Sequence, residues 1–82
     1  MTIPGDVVVL VREGCHLCDD ALGVIAEVCA DAGRPWTAID VDSNPELKAT
    51  YTDHVPVTFV DGDVLSFWFV DRDQLAAALV RA

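Results

Sequence analysis

Val7-Val8-Val9-Leu10-Val11-Arg12-Glu13-Gly14-Cys15-His16-Leu17-Cys18 is the stretch that decides the fold. It begins with an unbroken β-branched and apolar run, too short for a membrane helix and too continuous for a half-exposed strand. Such a run reads as a buried central strand, here Asp6–Arg12, covered on both faces. Gly14 then turns the chain, and an amphipathic helical pattern starts at about Cys15 and continues to Ala32. Cys18, Leu22, Ile25 and Cys29 recur at i, i+4, i+7 and i+11, which is one helix face, widened by Ala21 and Val28. Asp20, Glu27 and Asp31 fall on another, solvated face. Asp19 and Asp20 lie in the first turns, where acids suit the helix dipole, and Gly33 and Pro35 supply a stop.

Two thiols therefore stand where a strand gives way to a helix. The free N–H groups and the dipole of a helix N-terminus favour an anion, so a thiolate is stabilised there. The thiolate is the nucleophile, and Cys-x-x-Cys near a βαβ pattern marks a thioredoxin-like redox site. Cys15, nearest the helix mouth, reads as the attacking thiol. Cys18, one turn on and at the start of the apolar face, reads as the protected resolving thiol. His16 between them reads as a modest tuner of the thiolate or as an inert surface side chain. Cys29 lies eleven helical residues beyond Cys18, about 16 Å. Disulfides need Cα atoms within about 7 Å, so Cys29 reads as core.

The rest of the chain alternates in the same manner. Trp36–Val41 reads as a second strand. Asp42 or Ser43 can cap a short helix over Asn44–Thr50, with Pro45 in its first turn. Val55–Val60 reads as a third strand with Pro56 at its start, since proline cannot sit inside a central ladder. Asp61-Gly62 is a hairpin signal, and Val64–Val70 returns as a fourth strand. Phe67, Trp68 and Phe69 alternate along it, so at least one aromatic is expected in the core. Asp71 with Gln74 resembles a capping box ahead of a last helix whose apolar face includes Leu75 and Leu79. The order is β-α-β-α-β-β-α, an α/β fold with a mixed four-stranded sheet in which a right-handed crossover makes the first two strands parallel.

Composition bounds the function. With 82 residues the chain is read as one domain, residues 1–82, with one small core. Fourteen acids against five bases give a net charge of −9, which disfavours nucleic acid and anionic membrane surfaces as partners. No segment approaches the ~20 apolar residues of a membrane span, and the start of the chain shows no basic, apolar signal pattern. A cytoplasmic monomer is the expectation. Three cysteines, one close pair and one single, do not make a disulfide scaffold.

These residues together resemble the glutaredoxins, the short form of the thioredoxin fold. The likeness spans nearly the whole chain. It is carried by Cys15-x-x-Cys18 at the strand–helix junction, by Val55-Pro56 before the hairpin, and by Arg12 three residues ahead of the first cysteine. The resemblance implies a cis peptide at Pro56 facing the disulfide. It implies a Val55 backbone that pairs with bound substrate, and a basic Arg12 that holds an acidic substrate or the thiolate. His16 counts among the candidate substrate-binding residues, and His54, adjacent to the proline loop, reads either as lining the substrate groove or as an exposed loop side chain. The pair here encloses His-Leu where dithiol members have Pro-Tyr. The segment that binds the glutathione tail in the family is here Leu65–Asp71, without the family's Gly-Gly and acidic pair.

The function expected is thiol–disulfide oxidoreduction with no tightly bound cofactor. A disulfide-bearing protein or small thiol would be the substrate. Glutathione, another low-molecular thiol or a reductase would be the electron donor. Two alternatives stand beside it. One is zinc or iron–sulfur binding through the cysteine pair, for which a closed zinc site wants four ligands. The other is a binding module that keeps the fold with little turnover.

Overall fold

The computed structural model describes residues 7–80. Asp6, expected to open the first strand, lies outside the described residues. The elements are β1 (Val7–Val11), α1 (His16–Ala32), β2 (Trp36–Asp40), a 3-10 turn (Val41–Ser43), α2 (Pro45–Tyr51), β3 (Val57–Val60), β4 (Asp63–Phe67) and α3 (Arg72–Val80). The sheet order is β2-β1-β3-β4. β1 pairs parallel with β2 and antiparallel with β3, and β3 pairs antiparallel with β4. The fold is the thioredoxin-like α/β arrangement expected from the chain.

The uniform apolarity of β1 follows from its place between two layers. Val7 and Val9 pack with Ile25, Val28 and Cys29 of α1 and Leu75 and Leu79 of α3. Val8 and Leu10 point the other way, to Val41, Leu47 and Phe59. Val7 through Leu10 are fully buried. Each such side chain contributes about 1.5–3 kcal/mol of transfer free energy, an upper figure for a compact unfolded chain. Tyr51 at the end of α2 meets Phe59 edge-to-face at 5.7 Å, which ties α2 to its layer.

The helix ends are set by local chemistry. Gly33 takes φ +68 and closes α1, with its N–H donating to the Ala30 carbonyl and that of Arg34 to Cys29. The short helix α2 is capped by Asn44, whose side chain accepts from the Glu46 and Leu47 N–H groups at 2.9 and 3.1 Å. The sequence points to Asp42 or Ser43 for this cap. Those residues instead form a 3-10 turn, capped by Asp40 through the Asp42 N–H. Asp71 caps α3 as its spacing predicts, accepting from the Gln74 N–H at 2.9 Å.

Two boundaries differ from the sequence reading by more than one residue. The third strand's ladder starts at Val57 rather than Val55, because Val55 and Pro56 form the bend that enters it. The fourth strand ends at Phe67 rather than Val70. Trp68 takes φ +64, and the Phe69 N–H donates to the Phe67 carbonyl at 2.7 Å, closing a three-residue turn. The aromatic trio is consequently not core: Phe67, Trp68 and Phe69 are 42%, 47% and 69% exposed.

Candidate functional site

Gly14, at φ +75, lets the chain leave β1 and enter α1 at once. Cys15 is the cap residue of α1, with extended backbone, and its sulfur accepts the Cys18 N–H at 3.1 Å. A sulfur in that position meets the free N–H donors at the helix N-terminus. Cys15 is half-buried, whereas Cys18 is 2% exposed.

The two thiols thus differ in environment. The Cys18 thiol is pushed up to about 11, first by burial and then by its hydrogen bond with Cys15. A backbone hydrogen bond from Arg12 pulls the other way, while the charges of Cys15 and Asp19 raise it further. Cys18 is therefore a neutral thiol near pH 7. Cys29 is fully buried in the other core layer, and burial raises its thiol as well.

The remaining candidates divide. Val55 and Pro56 are buried, and their peptide bond is cis. Val55 shares one core cluster with Cys18, and Cys15 packs against that cluster, so the fold places Cys15, Cys18 and Val55 in one layer, with Pro56 next along the chain from Val55. His16 is the first residue of α1 and is exposed.

Arg12 stands on the exposed end of β1, but its guanidinium is engaged elsewhere. It donates to the Thr52 carbonyl at 3.0 Å and lies 3.4 Å from the Thr52 hydroxyl. Its guanidinium thus serves the end of α2, while its backbone is what meets the cysteine pair, through the hydrogen bond with Cys18.

Residues the sequence leaves in the background complete this corner. The Trp68 N–H donates to the Pro56 carbonyl at 2.8 Å, and its indole N–H donates to the Asp53 carbonyl at 3.2 Å. His54 stacks on the Trp68 ring at 5.9 Å and lies 5.4 Å from Phe67. The aromatic turn is therefore fastened to the cis-proline bend. Adjacency of His54 to Val55 is the one sequence signal for this; the stacking partner lies fourteen residues away and leaves none. Among the described residues no group of three or more His, Cys, Asp or Glu converges into a metal-holding cluster.

A four-stranded mixed sheet with a Cys-x-x-Cys at the mouth of its first helix and a cis-proline entering its third strand defines a protein of the thioredoxin-fold, thiol-redox class. Comparison with known proteins narrows this. The glutaredoxin-like domain family (DUF836) matches residues 6–80, and the chain belongs to that family. An uncharacterized protein of Mycobacterium tuberculosis is 36% identical over 78 residues, covering 89% of this chain and 80% of its own. A Nitrosomonas europaea protein solved by solution NMR is 32% identical with a TM-score of 0.75, covering 94% of this chain and 93% of its own. A thioredoxin of Fasciola hepatica is 21% identical with a TM-score of 0.62, covering 95% of this chain and 82% of its own, a likeness of fold alone.

Proposed function

We propose that the protein is a dithiol–disulfide oxidoreductase in which Cys15 attacks and Cys18 resolves. The observation that carries this is the sulfur of half-buried Cys15, accepting a helix N-terminal N–H, beside a buried, protonated Cys18.

The Cys15 thiolate displaces one sulfur of a substrate disulfide, forming a mixed disulfide and releasing the first substrate thiolate, which takes up a proton. Cys18 then loses its proton to solvent and attacks the Cys15 sulfur. The second substrate thiol leaves and is protonated. Two electrons have passed to the substrate, and Cys15–Cys18 is a disulfide. Return to the dithiol needs a reductant of the thiol class. Two equivalents of a low-molecular thiol such as glutathione, or one dithiol reductase, supply it. The buried Val55-Pro56 bend beside the pair supports backbone docking of the substrate there.

The test is disulfide reduction by wild type and Cys15→Ser under a thiol reductant. Wild-type turnover with none from the variant is expected. Turnover that survives Cys15→Ser would sink the mechanism.

A further inference from the structure

Phe67, Trp68 and Phe69 face solvent, and Leu17 on the first turn of α1 is 37% exposed. Between them lies a cleft of about 80 Å³. Leu17, Asp20 and Val24 line its helix side, and Trp68, Phe69 and Val70 its turn side. The wall is held in place at a cost. A non-glycine residue in left-handed backbone, as Trp68 is at φ +64, is strained. The bonds from Trp68 to Pro56 and Asp53 and its stacking on His54 offset that cost and keep the turn fixed to the proline bend.

The cleft is apolar along its length with one carboxylate, Asp20, in its lining. Exposed Glu13, Asp19 and Asp53 lie on the neighbouring turns, in a chain of net charge −9. The nearby cation, Arg12, is occupied by Thr52. An apolar cleft with a carboxylate in its lining matches a side chain with an aliphatic stem and a cationic head. The open aromatic faces add cation–π attraction.

We propose that this cleft receives a lysine or arginine of the substrate protein, two residues from its disulfide cysteine in an extended segment. The spacing follows from geometry. Asp20 is five helical residues beyond Cys15, about 7.5 Å along the axis. An extended chain covers about 3.3 Å per residue and alternates its side chains, so the second residue along spans that interval on the cysteine's own side. The stem lies against Leu17, Val24 and Trp68, and the head meets Asp20. This inference rests on the Cys15–Cys18 reading and adds the substrate class to it.

The test uses three peptides of one sequence, each with a cysteine disulfide-bonded to the same chromophoric thiol. Two residues away stands lysine, norleucine or glutamate. Chromophore release by the reduced protein gives the rate. Lysine should exceed norleucine, and norleucine glutamate. The lysine-to-glutamate ratio should be about tenfold at low salt and fall to under about twofold near 1 M, where screening acts within about 3 Å. Asp20→Asn should bring lysine and norleucine to similar rates, while Asp31→Asn, the same charge change farther along α1, should preserve their ratio. Equal rates for lysine and norleucine in wild type would overturn the proposal. So would glutamate as the fastest peptide, or an Asp31→Asn effect equal to that of Asp20→Asn. In each of those cases the redox reading stands. No release from any peptide overturns both.

Discussion

The second chemical step should be slow at neutral pH and steeply accelerated by base. The perturbation is pH itself, and the magnitude comes from Cys18. With its thiol pushed up to about 11 by burial and by Cys15, about one molecule in ten thousand carries the Cys18 thiolate at pH 7. A thiol at the ordinary 9.0 would be ionised in about one in a hundred. The higher basicity makes each thiolate about tenfold more nucleophilic, because reactivity rises with roughly half of each pKa unit. The net is a resolving step about tenfold slower than that of an unperturbed thiol. Once Cys15 is tied up in the mixed disulfide its own contribution falls, but burial, the largest cause, remains. The step therefore stays proportional to hydroxide up to at least pH 9. Stopped-flow mixing of the reduced protein with a symmetrical chromogenic disulfide should show two releases of chromophore. The second should quicken about a hundredfold between pH 7 and pH 9. A second phase that levels off near pH 7, or that does not change with pH, would refute the reasoning.

Stability should respond to the same thiol. Burial raises the folded-state pKa of Cys18 above its unfolded value, so the folded chain keeps the proton longer. Its contribution is full below about pH 9 and is lost as pH rises toward 11. Urea midpoints should fall over that window by the equivalent of about 2 kcal/mol, and Cys18→Ala should remove most of the slope. Leu75→Ala deletes a fully buried side chain from the layer between α1 and α3 and should cost about 3 kcal/mol by urea titration with an unchanged m-value. Gly33→Ala meets no atom within 4 Å, so its cost is conformational alone, about 1 kcal/mol at φ +68. Arg12→Ala frees Thr52 and should cost about 1 kcal/mol, while the iodoacetamide rate of Cys15 changes less than about twofold. A large drop in that rate would show that Arg12 serves the thiolate after all.

The elements that the sequence shows plainly are those whose cause is local. Val7–Val11 reads as a central strand because both neighbours of its backbone are apolar layers. Asp61-Gly62 reads as a hairpin because both take positive φ, at 52 and 88. Asp71 reads as a cap because its acceptor sits three residues before its donor. The readings that fail depend on distant contacts or on competing local options. Asp40, Asp42, Ser43 and Asn44 all have capping side chains, and nothing local chooses among them. The bond from Arg12 to Thr52 crosses forty residues of sequence. Phe67-Trp68-Phe69 has strand-like alternation, and only the hydrogen bonds of Trp68 to Pro56 and Asp53 explain why it turns instead. At the site, the helix-mouth position of Cys15 is written in the sequence; the aromatic wall beside it is not.

The division of labour between the thiols is open to one direct measurement. Cys18→Ser, reduced and then mixed with a peptide disulfide, is digested and mapped by mass spectrometry. The account predicts a single stable adduct, on Cys15, formed at the rate of the wild-type first phase. An adduct on Cys29, or an unmodified Cys15 under conditions where the wild type reacts, would contradict it.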